Sequence, residues 1–190
     1  MDSPHDVPNH LDLLTAALEN PGTDLQTVLS VLVDDLTSAI PSLLGLQLTV
    51  VVGDGAVTIS TGAIDASAVA ASLHVPLDQV TTAGAGSNVI FYAGRPGAFV
   101  DLAADFRFAY GLDGRVVLDE HFHPPASPVD PSGVTGLTEF SLINQAIGVL
   151  IEQGQTRETA PAELHRRAER ASRTLSEAAQ QLLDEQRRNR

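Results

Sequence analysis

The pattern of hydrophobic and polar positions is strongest in residues 140–151, which at helical spacing form two apolar stripes instead of one. A helix with one apolar stripe packs against its own domain, whereas a helix with two must bury both. We therefore predict that one face packs in a local bundle and the other meets a second copy of the chain. Gly148 interrupts the helix at a cost of roughly 1 kcal/mol relative to Ala, which indicates a close approach to its backbone. The stripe assigned to the dimer interface consists of Phe140, Ile143, Ile147 and Leu150, and the other of Leu142, Ala146 and Val149.

Two shorter amphipathic segments follow, in residues 156–171 and 175–183. Proline is tolerated in the first turn of a helix but not in its interior. Pro161 therefore predicts that the second helix starts late, near Ala160, with Thr159 as its cap. Three short helices joined by tight connections form a small bundle.

Small and aliphatic residues recur at fixed spacings along these three segments: Ile143-x-x-Ala146-x-Gly148-x-Leu150, then Leu164-x-x-x-Ala168, then Leu175-x-x-x-Ala179. The set resembles the ANTAR domain, a three-helix RNA-binding module of bacterial transcription antiterminators, over about the last quarter of the chain. The resemblance implies RNA binding and a first helix that belongs to a dimeric coiled coil. The family usually carries a Lys and an Arg where this chain has Ile147 and Phe140, which lengthens the apolar seam and favours the dimer.

Upstream, the hydrophobic period changes from helical spacing to strict alternation and back. A Gly53-Asp54-Gly55 run between two alternating segments is typical of a hairpin turn. The predicted helices cover residues 11–18, 24–44 and 98–110. The predicted strands cover residues 46–52, 56–61, 71–77, 88–93 and 116–118.

This region resembles a GAF domain over most of residues 24–111. The resemblance rests on Ser72-Leu-His-Val-Pro-Leu77, and above all on Arg95-Pro96-Gly97-Ala98-Phe99 at the start of a helix. A full GAF domain has a further strand and helices where only residues 62–72 stand here. Since those elements wall the ligand pocket, the resemblance implies a reduced or absent pocket, and we expect no small-molecule ligand.

The predicted fold class is therefore α+β. A small GAF-like antiparallel sheet of four strands with flanking helices is followed by a C-terminal three-helix ANTAR-like bundle. The predicted boundaries are a reduced GAF-like sensor or dimerisation domain over 1–118, a Pro-rich linker over 119–136 and an ANTAR-like RNA-binding bundle over 137–190.

Composition excludes several function classes. The chain has no Cys, and all eleven of its basic residues are Arg, so thiolate sites, a P-loop Lys and a Schiff-base Lys are ruled out. His121 and His123 stand beside carboxylates, yet no third metal ligand follows at a plausible spacing. We expect no enzyme activity, no metal and no cofactor.

Charge is unevenly distributed along the chain. The net charge is -13, yet residues 141–190 carry +1 and residues 1–140 carry -14. The candidate RNA-binding residues cluster in the second predicted bundle helix, where the alternative is a solvated face paired with Glu163 and Glu169. The candidates are Arg157, His165, Arg166, Arg167, Arg170 and Arg173.

These observations predict an RNA-binding transcription antitermination regulator. The resemblance implies a cytoplasmic homodimer that binds paired stem-loops in a transcript leader, with no membrane contact. Two alternatives stay open: a dimeric protein-interaction module that has lost RNA binding, or a small-molecule sensor using the GAF-like region.

Overall fold

In the computed structural model, the described residues are 25–53, 55–61, 64–78, 85–122, 124 and 134–188. They divide into two compact units. The first comprises residues 25–50 and Thr58–Thr135, and the second comprises Val51–Val57 and Gly136–Arg190. The tip of the predicted hairpin thus groups with the C-terminal helices, although the sequence assigned it to the first region. The predicted helix over 11–18 and residues 125–133 of the predicted linker lie outside the described residues.

The first unit contains most of a six-stranded antiparallel sheet in the order β5-β3-β4-β1-β2-β6. Four strands agree with the prediction to within three residues. β5 confirms the short strand expected near residue 117. β6 lies inside the predicted linker, so that part of the prediction was wrong: Val134 and Thr135 pair with Thr61 and Ser60. The elements are α1 (Leu25–Ala39), β1 (Leu43–Val52), β2 (Gly55–Thr61), a 3-10 turn (Ala66–Ala68), β3 (Ala71–Pro76), β4 (Asn88–Ala93), α2 (Val100–Tyr110), β5 (Val117–Leu118) and β6 (Val134–Thr135).

Strand β1 begins three residues earlier than predicted because its pairing with β4 shifts register between Leu43 and Gly45. Gly45 has a φ of +151°, and a Cβ there would collide with the backbone carbonyl oxygen of Thr61. The Thr61 hydroxyl also accepts a hydrogen bond from the Leu46 amide at 3.0 Å. A bulge of this kind interrupts the alternation on which the prediction depended.

Both faces of the sheet are buried at the end of β4. Phe91 packs against Phe99, which immediately precedes α2, and against Phe106 within α2. The ring centroid of Phe91 lies 6.3 Å from that of each of the two. Tyr92 points to the opposite face because successive strand residues alternate. It is also buried, and its hydroxyl lies 3.2 Å from Gln47 Oε1.

The second unit contains the three predicted bundle helices: α3 (Leu137–Glu152), α4 (Ala160–Ala171) and α5 (Leu175–Arg188). As predicted, α4 starts at Ala160, after Thr159 and with Pro161 in its first turn. Helix α5 begins with a capping box, in which the Thr174 amide donates to Glu177 Oε2 at 2.9 Å and the Glu177 amide donates to Thr174 Oγ1 at 3.2 Å. The chain is therefore α+β at the level of its elements, and none of the described helices is long and apolar enough to cross a membrane.

Candidate nucleic-acid interface

The outer face of α4 carries the candidate arginines. Ala160, Leu164 and Ala168 are buried, so the opposite side of the helix must face outward. Arg166 and Arg170 lie on that side, one helical turn apart, and both are exposed. Helical spacing thus brings cationic side chains together on one surface.

One carboxylate lies among these arginines. Glu163 accepts a 2.8 Å contact from Arg166 Nη2 and a 2.9 Å hydrogen bond from Arg167 Nε. The Arg167 hydrogen bond, together with the charges of Arg166 and Arg170, holds the pKa of the Glu163 carboxyl below its usual 4.5. Glu163 is therefore ionised at neutral pH and offsets part of the positive charge.

Arg170 and Arg157 differ from their neighbours. Within the part of the chain that the structure describes, neither guanidinium makes a hydrogen bond or an ion pair at short distance, and both residues are exposed. A solvated guanidinium is free to donate two parallel hydrogen bonds to two oxygens of a phosphate group. Arg157 lies in the turn before α4, so Arg170 is the stronger candidate for a contact on the helix face.

Arg173 follows the end of α4 and links two helices. Its Nη1 donates a 2.6 Å hydrogen bond to Gln181 Oε1 on α5. Helix α4 ends in a Schellman-type turn, with Ser172 at a φ of +52° and the Arg173 amide donating to the Ala168 carbonyl. Arg173 is thus fixed at the edge of the surface rather than at its centre.

A groove of about 250 Å³ runs between α4 and α5 beside Arg170. Its lining combines apolar carbons with polar and charged ends, so it could take a flat ring together with a neighbouring anionic group. Gln181 and Glu185 were not predicted as site residues. Their four-residue spacing on α5 is visible in the sequence, but only the packing of α5 on α4 brings them next to Arg170. The lining residues are Arg167, Arg170, Ala171, Ala178, Gln181, Leu182 and Glu185.

His165 does not share the arginine surface. Its Nε2 lies 3.5 Å from Glu169, and its side chain is only 25% exposed. Its Nδ1 is buried and lies close to Gly55 in the hairpin tip, which belongs to the same unit. The prediction grouped His165 with the arginines because it is adjacent to Arg166 in sequence, but adjacent helical residues point about 100° apart.

The stripe predicted as the dimer interface faces the interior of the second unit. Phe140 is 7% exposed, Ile143 2% and Leu150 1%, so these three side chains cannot meet a partner, and Ile147 is half-buried. Helix α3 packs most extensively on α5. The three-residue and four-residue steps of this stripe fit the bundle core, and this part of the prediction is corrected accordingly.

The other side of α3 remains partly accessible. Leu142 and Val149 are half-buried, and Ile151 is exposed. Gly148 is also exposed, and apart from its chain neighbours and the adjacent backbone of its own helix, no heavy atom of the described residues lies within 4 Å of a Cβ built on it. The close approach predicted from Gly148 is therefore absent within this part of the chain.

The first unit has an open cavity of about 210 Å³ beside α1 and the start of β1. Ligand sites for drug-sized molecules usually enclose roughly 300–1,000 Å³. The lining includes Leu29, Asp34, Thr37, Leu43 and Gly45. Of the predicted metal candidates, His123 lies outside the described residues, and the described part of the chain contains no cluster of three metal-binding side chains.

Comparison of the chain with protein-family models, with curated proteins and with solved structures found no match in any of the three.

Proposed function

We propose that the chain is a cytoplasmic RNA-binding regulator of transcription antitermination, in which the arginine surface of α4 contacts RNA stem-loops. The observation that carries the proposal is Arg170, exposed beside the groove between α4 and α5. The resemblance of the helical region to ANTAR domains and of the upstream region to GAF domains supports the same reading. Where the ANTAR family usually carries basic residues, this chain has Ile147 and Phe140.

Stem-loops fit this surface better than duplex RNA does. Proteins read RNA sequence mainly at unstacked loop bases, which stack on planar or apolar groups while guanidinium groups anchor phosphates. The groove offers apolar carbons of Ala171, Ala178 and Leu182, with Arg167 and Arg170 beside them. One unstacked loop base would lie against the apolar carbons of the groove, and the adjacent phosphates would bind the arginines.

The charge distribution directs RNA to one end of the chain. Residues 1–140 carry a net charge of -14 and residues 141–190 a net charge of +1. A polyanion is repelled by the first part, so contact concentrates on the helical unit. Because a net charge of +1 gives only weak attraction, we propose that two copies in a dimer bind two linked loops, which raises the effective concentration at the second site.

The test is a mobility-shift or filter-binding titration with a single stem-loop, a linked pair of stem-loops and an unrelated hairpin over a series of salt concentrations. Arg170→Gln should weaken binding by about threefold to tenfold and reduce the salt slope by about one unit. Arg95→Gln removes the same charge from an exposed position in the first unit and is the matched control. Equal affinity for the unrelated hairpin, or equal effects of the two substitutions, would contradict the proposal.

A protein-interaction module is the second candidate. It is favoured by the half-buried apolar residues Leu142 and Val149 and by the exposed Ile151 on α3. It is also favoured by Glu163, which already forms ion pairs with two of the arginines. Under this alternative the chain shifts none of the three RNAs, although it remains folded.

A further inference from the structure

The tip of the hairpin between β1 and β2 packs against helix α4. This hairpin tip is Val51–Val57, and it belongs to the same compact unit as the three C-terminal helices. Gly53 has a φ of +62°, and a Cβ built on it would lie 3.2 Å from both the carbonyl carbon and the Cβ of Pro161. Pro161 stands in the first turn of α4. The tip therefore approaches the backbone of α4 more closely than a side chain at Gly53 would allow.

The hairpin tip also contacts α5. A Cβ built on Gly55 would lie 3.4 Å from Cδ2 of Leu175, the first residue of α5, and 3.6 Å from Nδ1 of His165 on α4. Both distances are those of ordinary packing contacts. Residues of two different helices thus hold the tip, and the tip in turn bridges those helices.

His165 faces this tip instead of the arginine surface. Its Nδ1 is buried and makes no hydrogen bond within the described residues, while its Nε2 lies 3.5 Å from Glu169. The ring is therefore placed between its own helix and Gly55. This position explains why a residue adjacent to Arg166 in sequence is only 25% exposed.

The groove beside Arg170 lies between the same two helices that the hairpin tip bridges. Arg170 lines it from α4, and Ala178 and Leu182 line it from α5. The hydrogen bond from Arg173 to Gln181 links the end of α4 to α5 at 2.6 Å. Packed protein interiors have low compressibility, so a displacement of one helix by the tip changes the groove instead of being absorbed.

From these contacts we propose that the hairpin tip is a positioning element of the arginine surface, and that it sets the width of the groove by holding α4 and α5. RNA in the groove then depends on the tip without touching it. The inference rests on the proposed function for the identity of the ligand. It also implies that residues 137–190 do not form the surface by themselves, because a segment of the predicted sheet region completes it.

The first test compares Gly53→Ala with Gly154→Ala. Both glycines belong to the second unit and have a positive φ, +62° for Gly53 and +99° for Gly154. Apart from its chain neighbours, no heavy atom of the described residues lies within 4 Å of a Cβ built on Gly154, whereas Gly53 meets Pro161. Gly53→Ala should weaken RNA affinity by about threefold to tenfold because the start of α4 must move, and Gly154→Ala should change it by less than about twofold.

The salt dependence separates a positioning role from a direct contact. Gly53→Ala removes no phosphate contact, so its affinity should fall with salt as steeply as that of wild type. Arg170→Gln should instead reduce the slope by about one unit. Circular dichroism at the assay temperature checks that all three variants are folded.

The second test is reversible and uses the absence of cysteine from the chain. Gly53→Cys combined with Pro161→Cys gives two Cβ atoms 3.2 Å apart before any adjustment, close to the roughly 3.5–4.5 Å found in disulfides. Oxidised glutathione should form an intramolecular disulfide in this variant. The oxidised protein should bind RNA at least about threefold more tightly than the same protein after reduction, since two unbonded side chains at this distance push the tip and α4 apart. Gly148→Cys combined with Pro161→Cys is the control and should form no intramolecular disulfide.

Failure of the Gly53→Cys and Pro161→Cys pair to form a disulfide in the folded full chain would overturn the proposal, because the contact itself would be absent. Equal RNA affinities of the oxidised and reduced forms, or equal effects of Gly53→Ala and Gly154→Ala, would overturn it as well. If wild type binds no RNA, the proposed function fails, and the amide chemical shifts of Arg170 and Ala178 test the tip instead. These shifts should differ between the oxidised and reduced forms, and identical shifts would overturn the inference.

Discussion

His74 and His121 stack on each other, with ring centroids 5.1 Å apart and planes inclined by 16°. His74 belongs to β3, and His121 follows β5 in a segment fixed to β3 by Ser72, whose hydroxyl accepts from the His121 amide at 3.0 Å. The Nδ1 atoms of both rings are buried and have no hydrogen-bond partner within the described residues. The stack thus holds the segment that follows β5 against β3.

The histidine pair predicts a loss of stability in acid. Burial, and then the charge of His121, lower the pKa of His74 from its ordinary 6.5, although Glu120 and Asp78 oppose the shift. The unfolded chain therefore binds a proton at His74 more readily than the folded chain does. The corresponding stability is present above pH 6.5 and is lost as the pH falls from 6.5 through the lower folded-state pKa.

Urea denaturation between about pH 8 and about pH 5 measures this effect. The two tyrosines of the chain, Tyr92 and Tyr110, both lie in the first unit, so their absorbance reports on that unit alone. His74→Gln should flatten the pH dependence, and His121→Gln should flatten it less because burial of His74 remains. Identical pH slopes for wild type and His74→Gln would contradict the prediction.

Glu163→Gln should raise affinity for RNA. Glu163 accepts contacts from Arg166 and Arg167, so loss of its charge leaves both guanidinium groups more available to phosphates. We expect affinity to rise by about twofold to fivefold at low salt, with a steeper salt dependence. Glu169→Gln is the matched control, since it removes one negative charge from the same helix but pairs with His165 instead of an arginine. A larger gain in RNA affinity for Glu169→Gln than for Glu163→Gln would contradict a contact between the RNA and Arg166 or Arg167.

Ser172→Gly should stabilise the second unit. Ser172 adopts a φ of +52° at the end of α4, and a residue with a Cβ is disfavoured in this left-handed region by roughly 1–2 kcal/mol. Glycine avoids that cost, but its greater conformational freedom stabilises the unfolded chain and offsets part of the gain. The expected increase in the free energy of unfolding is therefore about 0.5–1 kcal/mol. Ser172→Ala keeps the Cβ and should give no gain. Denaturation followed by helical circular dichroism measures the difference.

Gly148→Ala should also stabilise the second unit, by about 1 kcal/mol. Alanine is the better helix former, and its Cβ would meet no described atom beyond its chain neighbours and the adjacent backbone of α3. Gly154→Ala is the contrasting variant, since Gly154 has a φ of +99° that alanine tolerates poorly. If a second copy of the chain approaches α3 at Gly148, the same substitution lowers self-association, which light scattering measures. If an RNA approaches there, the substitution lowers RNA affinity, which a mobility shift measures.

Much of the secondary structure was predictable because it depends on local periodicity. Alternation located four strands, and a proline in the first turn placed the start of α4 at Ala160. The early start of β1 was not predictable, because the bulge near Gly45 depends on Thr61, which is distant in sequence. Strand β6 was missed for a similar reason: Val134 and Thr135 have no strand pattern of their own and pair with the edge of β2.

The candidate site was predictable in part. The spacing of Arg166 and Arg170 placed both on one helix face, and the position of Glu163 indicated a pairing with the arginines as an alternative. The sequence did not show that Glu163 contacts both Arg166 and Arg167, or that Arg170 stands beside a groove. Side chains of α5 complete that groove, so no single segment contains it.

The sequence by itself determined that α3 has two apolar stripes, that α4 displays arginines and that acidic residues dominate the first part of the chain. Only the tertiary structure decided that Phe140, Ile143 and Leu150 face inward, that His165 lies apart from the arginines and that Phe108 is exposed. The reason is physical. Periodicity shows which side chains share a face of one element, but whether that face is buried depends on what the other elements place against it.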